Sequence, residues 1–336
     1  MLMCGKVSQD NFIKLTAAPL FRLSFTGVKI VEAKARICYH VYQRLKYQRN
    51  SVRGYDMIKR PDNSVLFGIR KGIAIYFNDV IEKERIKEIV SMLVDMTGVT
   101  FTGKRAQDEP KIRLVRGGWE RVFDNTFKNS TFESSNVLML TDGTKDTLQT
   151  TQIYMNLWNP CRSANCILVD CMVDIGWETI ITFIYVISKM LHLQYVSAGY
   201  NVVSNDFWCP GSAAYSLKFL QTVKYANSEW TEWLHLGFFV NKGICGPNIV
   251  QFLSDKLWVP VEGAVRQCNL ACTPLNAGII VDILEHKDGK VMEPEKDVLL
   301  DRLSKLYRVL RPIIVPVVKP MFLKENEWTA WQRRFE

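Results

Sequence analysis

The chain has 336 residues (38.7 kDa), of which 48% are hydrophobic and 23% charged, a composition typical of globular proteins with one large domain or two smaller ones. Its longest apolar stretch, Ile180 to Leu193, is interrupted by Ser188, Lys189 and His192, so it is too short to span a bilayer. The first residues also lack the apolar run of a secretory signal, and we expect a cytoplasmic protein.

The net charge of +9 comes entirely from the first 60 residues, which hold 12 Lys and Arg against 3 Asp and Glu. The rest of the chain holds 31 of each kind and is neutral. A turn signal at Arg60–Asn63 predicts a boundary here, with residues 1–60 as a basic N-terminal extension or small subdomain. The basic segment fits a nucleic-acid patch or a solvated appendage, and we favour the appendage.

Residues 61–200 read as a strand, a helix and then several strands. Gly72–Phe77 is a β-favouring run, and Asp79 to Glu82 has the spacing of a capping box. The helix that follows buries Ile86, Ile89, Val90, Leu93 and Val94 on one face, and Gly98 ends it with a left-handed cap. We predict short strands at 111–115, 137–140, 153–158 and 167–172, and an almost entirely apolar helix at 177–193.

Residues 201–336 are predicted to repeat this order of strands, loops and helices. A loop at 201–211 precedes a helix at 213–224, a strand at 234–240 and a helix at 249–257. A strand at Gly278–Val281 and a leucine-spaced helix ending before Pro312 follow, and the aromatic C-terminus is predicted to pack. The fold class is therefore α+β, with mixed or antiparallel sheets packed by helices. Short internal echoes at Gly72 and Gly278 suggest two related halves, 61–200 and 201–336.

The motifs of catalysis and metal binding are missing from the sequence. There is no phosphate-binding loop, no G-x-S-x-G elbow and no H-E-x-x-H, so no catalytic, cofactor or metal residue is assigned and no enzyme is predicted. The nine cysteines lack the spacing and histidine partners of a zinc site, and we interpret them as buried, inert thiols. Cys245 and His192 have no evident catalytic partner, and His192 is interpreted as a core histidine.

One loop is a candidate for partner binding. Asp206, Phe207 and Trp208 precede Cys209-Pro210-Gly211, and Trp208 is the tryptophan that we expect to be exposed. Aromatic residues on loops often anchor binding partners.

From about Gly72 to Glu336 the chain resembles the TsiV-type immunity proteins that bacteria encode beside type VI secretion effectors. The resembling segments are the strand 72–77 with its helix, Gly199-Tyr200, Lys242-Gly243 leading to Phe252-Leu253-Ser254-Asp255, Gly278–Val281, Leu310-Arg311-Pro312 and Trp331–Phe335. The chain departs from the family at Asn201-Val202, where Ala-Gly is frequent, and at Pro247-Asn248, where a tryptophan is usual. Residues 1–60 lie outside the resemblance.

The resemblance implies an inhibitor rather than an enzyme. Such a protein binds a cognate toxin, encoded by the adjacent gene, and blocks its active site through a tight interface. The absence of a signal peptide suggests a toxin that acts in the cytoplasm, such as a nuclease. A nuclease inhibitor presents acidic groups to a basic cleft, and the local acidic candidates are Asp142, Asp146, Asp206 and Glu229.

The sequence leaves two other classes of function open. An enzyme would need distant residues to assemble a site around His192, Cys245 or Asp170, with a strongly perturbed side chain in a pocket. A nucleic-acid-associated protein would use the basic residues 34–60, and its binding would depend steeply on salt.

Overall fold

The structure is a computed structural model of the full chain, in which two compact units are distinguished, 1–46 and 47–336. It describes residues 49–52, 55–59, 65–79, 82–106, 113–128, 136–142, 151–157, 164–171, 174–204, 225–228, 239–315 and 325–336. All of them belong to the second unit, and the account below concerns this unit alone.

The elements of the N-terminal part of this unit follow one another in a strand-rich order. They are β1 (Arg49–Val52), β2 (Tyr55–Lys59), β3 (Val65–Phe77), α1 (Lys83–Thr97), β4 (Gly103–Ala106), β5 (Arg113–Leu114), α2 (Gly118–Thr126), β6 (Asn136–Thr141), β7 (Gln152–Leu157), β8 (Asn165–Cys171) and α3 (Trp177–Ile187).

The later elements begin with a long strand and end with two helices. They are β9 (Leu193–Ser204), β10 (Ala226–Ser228), β11 (Val250–Ser254), α4 (Asp255–Trp258), α5 (Glu262–Gln267), β12 (Ala271–Leu275), β13 (Gly278–Asp282), β14 (Glu285–Lys287), β15 (Lys290–Met292), α6 (Lys296–Leu310), a 3-10 turn (Arg311–Ile313) and α7 (Glu325–Gln332).

One large sheet joins both parts of the unit, and the predicted α+β fold is confirmed. Its strands lie in the order β12-β13-β11-β9-β3-β8-β7-β6-β4-β5, with β2 beside β3, β1 beside β2 and β10 beside β9. The described pairings in this sheet are antiparallel except that of β10 with β9. The long strands β3 and β9 pair at the centre, and the relation between the two suggested halves stays a prediction.

The helices supply the apolar surface that covers the sheet. In α1 four residues of the predicted face, Ile86, Ile89, Val90 and Leu93, are buried, as the three- and four-residue spacing requires, whereas Val94 is half-buried. Gly98 ends this helix at φ 63°, and its N–H donates to Val94 O at 2.8 Å, so the predicted left-handed cap is confirmed. None of the described helices is long and apolar enough to cross a membrane.

The C-terminal segment is packed, as its aromatic content predicts. Trp328, Trp331 and Phe335 are all buried, and Phe335 packs 6.3 Å from the ring of Tyr307 on α6. Burial of these rings ties down a chain end that would otherwise fray.

Three predicted elements are wrong, and the strand predicted at 234–240 is a fourth, because its described residues 239 and 240 lie in a turn. The segment predicted as a helix at 249–257 is mostly strand β11, which is buried along its whole length, and only Asp255–Trp258 is helical. The apolar helix α3 ends at Ile187, six residues before the predicted end, and Leu193 begins the unpredicted strand β9, which also replaces the start of the predicted loop at 201.

The predicted capping box at Asp79 is the third error. Helix α1 begins at Lys83, and its N-cap Glu82 makes no side-chain cap bond. The Asp79 carboxylate instead accepts the backbone N–H of His192 at 2.7 Å and contacts its ring Nδ1. Asp79 thus ties the start of β9 to the end of β3, and His192, interpreted from sequence as a core residue, has an exposed side chain.

The boundary at residue 60 also differs from the structure. Strand β2 pairs with β3 through Met57, Ile58 and Lys59, and the compact unit begins at Tyr47. Residues 49–52 and 55–59 are therefore strands of the large sheet rather than parts of an extension outside it.

The glycines quoted for the family resemblance lie at close packing contacts. A Cβ on Gly199 of β9 would come within 1.6 Å of the side-chain oxygen of Asn248. A Cβ on Gly243 would come within 2.1 Å of Ile313 O, and one on Gly278 within 2.2 Å of Leu253 O. These positions thus serve the fold.

Candidate interaction site at one end of the sheet

Polar side chains concentrate at one end of the sheet, where β6 and β8 end and β7 begins. Thr141, Gln152 and Asp170 lie opposite one another across three strands, and the row continues through Gly72 of β3 to Gly199 of β9. The three polar residues are almost completely buried. We call this region the polar end of the sheet.

Two consecutive basic residues of β3 mark this end. Arg70 is 9% exposed and Lys71 is 5% exposed, although the strand around them is apolar. Because successive side chains of a strand point to opposite faces, the two positive charges are placed on opposite sides of the sheet. Buried charges are costly unless partners compensate them, so each side must supply such partners.

Arg70 lies on the face that also contains Asp170 and Asn201. Arg70 pairs with Asn201 across the strands, and Asp170 is placed beside them opposite Gly72. Asn201 Nδ2 donates to Asp170 Oδ1 at 2.9 Å, and Arg70 donates to Ile69 O at 2.9 Å. Burial lowers the pKa of Arg70, and the negative charges of Asp170 and Asp142 oppose this shift. Asp170 is therefore the main compensating charge for a buried guanidinium.

Lys71 lies on the opposite face, under helix α3. Its Nζ contacts Ile175 O and lies 4.4 Å from the centre of the Trp177 ring, a cation–π arrangement. Burial lowers the pKa of Lys71, and the negative charge of Glu293 is the largest opposing influence.

Replacing Lys71 with methionine tests this electrostatic environment. Because the pKa of Lys71 is lowered from 10.5, the folded protein releases this proton at a lower pH than the unfolded chain does. At pH values between the folded-state pKa of Lys71 and 10.5, the unfolded state therefore binds more protons than the folded state does. The Lys71 contribution then makes the free energy of unfolding rise with pH. Denaturant titrations from neutral pH to about pH 10 should show the wild-type minus Lys71→Met difference increasing with pH. A difference independent of pH would contradict the assigned burial cost.

A cluster of aromatic and charged residues extends from Lys71 to the surface. We name Lys71, Trp177, Tyr200, Tyr225, Glu293 and Lys296 the Glu293 cluster. Trp177 Nε1 donates to Glu293 Oε2 at 3.1 Å, and the Tyr200 hydroxyl donates to the same oxygen. The cluster joins β3, α3, β9 and the segment between β15 and α6, which are distant in sequence.

The rings of the cluster form a continuous edge-to-face chain. The Trp177 and Tyr200 centroids are 5.7 Å apart, and those of Tyr200 and Tyr225 are 5.4 Å apart. Lys296 Nζ lies 5.6 Å from the Tyr225 centroid. Trp177 is buried, the two tyrosines are half-buried, and Glu293 and Lys296 are exposed. The cluster therefore runs from the core to an exposed surface through side chains held by mutual contacts.

Among the predicted site residues, the structure describes Asp142 alone. Its Oδ1 accepts the backbone N–H of Thr151 at 2.9 Å, and its side chain is half-buried at the polar end of the sheet. Asp142 thus holds the start of β7 and contributes charge near Arg70. Asp146, Asp206, Phe207, Trp208 and Glu229 lie outside the described residues.

The other sequence candidates are dispersed. Asp170 is buried beside Asn201, whereas the side chain of His192 is exposed. Burial raises the pKa of Cys166 and of Cys171 to about 12, so both thiols stay protonated at neutral pH. Within the described ranges, no group of three or more His, Cys, Asp or Glu is placed to hold a metal ion.

Sequence reasoning missed the Glu293 cluster. One signal was available: Arg70-Lys71 is a charged pair inside an otherwise apolar strand, which indicates buried partners. Glu293 and Tyr225 carry no such local signal, because they reach the cluster only through the tertiary fold.

Comparison with known proteins bears on the fold. A solved structure of the Pseudomonas aeruginosa T6SS protein PA0821 is similar to this chain, with a TM-score of 0.64 over 89% of this chain and 90% of that chain. The two sequences are 6% identical, so the likeness shows a shared fold. No protein-family model and no curated protein sequence matches the chain. The TsiV-type resemblance remains a prediction.

Proposed function

We propose that this chain is an immunity protein that binds a type VI secretion effector and covers its active site. The observation that carries the proposal is the Glu293 cluster, in which half-buried tyrosines and exposed charged side chains are held against the centre of a large sheet. The fold shared with a T6SS protein supports the secretion context.

The composition of the cluster suits protein recognition. Tyrosine and tryptophan dominate the energetics of many interfaces, because they bury large areas while losing little side-chain freedom. Tyr200 and Tyr225 are half-buried and in edge-to-face contact, so much of their ordering is already present before binding. A preorganised surface loses less entropy on association, which favours a tight complex.

Inhibition by occlusion requires shape and charge, and no reacting group. In this proposal the polar end of the sheet is a rigid base, and the exposed side chains of the cluster contact the effector. The partner is the protein encoded by the adjacent gene, acting in the cytoplasm, with a nuclease as the leading candidate.

Co-purification tests the proposal. The adjacent gene product, tagged and rendered catalytically inactive by mutation, is expressed with the untagged full chain and isolated by affinity and size-exclusion chromatography. We expect a stoichiometric complex with nanomolar affinity by calorimetry, about −12 kcal/mol. Two soluble proteins that elute separately and give no heat of binding would refute the pairing.

A further inference from the structure

We propose that the Glu293 cluster receives a basic surface of the effector, with an arginine or lysine of that protein bound to Glu293 Oε1. The inference rests on the proposed function and adds the location and charge of the contact. It identifies the partner surface by chemistry as a cationic cleft of the kind that binds an anionic substrate.

The Glu293 carboxylate is preorganised for such a contact. Both of its described hydrogen bonds, from Trp177 Nε1 and from the Tyr200 hydroxyl, end on Oε2. Among the residues that the structure describes, none donates to Oε1, and the Glu293 side chain is exposed. The two donors hold the carboxylate in one orientation and leave an oxygen for a charge-assisted bond from a partner.

The surroundings of Glu293 supply apolar contact area. Tyr200 donates to it and packs against Tyr225, and Met292, the preceding residue in the sequence, is 41% exposed. An arginine that binds Glu293 could extend its stem along these rings. Aromatic faces also attract a guanidinium directly, and the contact excludes water from the ion pair.

Charge at this surface favours a cationic partner. Asp174 is exposed before α3, and the negative charges of Asp174 and Glu293 both act on Lys71. Lys71 is buried beneath the cluster, which leaves Lys296 as the exposed ammonium in it. Asp174 and Glu293 therefore place two exposed negative charges against the one exposed ammonium of Lys296, on a region, 61–336, whose overall charge is zero. Complementary charge speeds association and disfavours incorrect partners.

Replacing Glu293 with glutamine tests the contact. The amide keeps an oxygen for Trp177 and Tyr200 but removes the negative charge. With the inactive effector as the probe, we expect the dissociation constant to increase at least tenfold and its salt dependence to weaken, because the ion pair is lost. Glu120→Gln is the matched control, an exposed carboxylate in the first turn of α2, and should bind like the wild type.

A second variant covers the case in which Glu293→Gln does not fold. Asp174→Asn removes an exposed charge that acts on Lys71, and it should measurably weaken binding, by less than the tenfold expected for Glu293→Gln, while leaving thermal unfolding unchanged. The outcomes separate the two proposals. A wild-type complex that both variants form equally well would overturn this inference and leave the immunity function standing.

Absence of a wild-type complex would count against the proposed function itself. A self-associated chain whose dimer is dissociated by Glu293→Lys in sedimentation experiments, with effector binding unchanged, would assign the surface to a second copy and overturn the inference.

Discussion

Replacing Asp170 with alanine should lower the free energy of unfolding by about 3–4 kcal/mol, because Arg70 loses the largest charge that compensates its burial and Asn201 loses its hydrogen-bond acceptor. Asp170 is 4% exposed and is held by Asn201 at 2.9 Å. The guanidinium of Arg70 is already disfavoured by burial, which lowers its pKa, and Asp170 is the largest opposing charge. Urea denaturation at neutral pH measures the loss directly.

The double variant Arg70→Met/Asp170→Leu distinguishes charge compensation from packing. If the loss comes from an uncompensated charge, removing both charges should restore most of the stability, since replacing two buried opposite charges together by apolar side chains is often neutral. A double variant that is as unstable as the sum of the two single variants would show that the residues act independently.

Replacing Gly199 with alanine should be nearly as damaging, at about 3 kcal/mol of unfolding free energy, because the new methyl group requires space that Asn248 occupies. The Cβ would lie 1.6 Å from Asn248 Oδ1 and 2.4 Å from its Cγ. Asn248 is 1% exposed, donates to Ser197 Oγ at 2.9 Å and accepts the N–H of Ile249 at 2.9 Å. Thermal and urea unfolding should both detect the change.

Gly263→Ala is the matched control for Gly199→Ala. Gly263 is in helix α5, and a Cβ there meets no atom within 4 Å. This substitution should change stability by less than about 1 kcal/mol, in the stabilising direction, because alanine favours the helix. Equal effects at the two glycines would mean that the close approach of Asn248 to β9 is wrong.

The central strands could be predicted from the sequence only where each is a short β-favouring run with clear ends. Strands β3, β6, β7, β8 and β13 are compact β-favouring runs, and the structure contains each of them. Strand β11 was mistaken for a helix because all five of its residues are buried, which removes the alternation that identifies a half-exposed strand. Its Val250, Leu253 and the later Leu257 also fall at helical spacing.

Strand β9 was missed for a related reason. It begins six residues after helix α3 ends, without a glycine or proline between them. Polar residues within it, such as Ser197 and Asn201, resemble a loop until their buried partners Asn248 and Asp170 are known. The predicted cap at Asp79 is wrong for a similar reason. The Asp79 carboxylate accepts a hydrogen bond from His192, which lies 113 residues later in the sequence.

The candidate site was even less accessible to sequence reasoning. Each of its contacts joins segments that are far apart, such as Trp177 with Glu293, 116 residues later. A charge within an apolar strand indicates that a partner exists but does not identify it. The sequence supported an inhibitor through its resemblance and its lack of catalytic motifs, whereas the candidate surface follows from the tertiary structure.

Growth of a bacterial host that produces the active product of the adjacent gene is the most direct test of the immunity proposal. Co-production of the full wild-type chain should restore growth, and Glu293→Lys, at equal soluble level, should restore it less, in proportion to its weaker binding. Continued toxicity in the presence of abundant folded wild-type chain, or an adjacent gene product that is harmless by itself, would contradict the account.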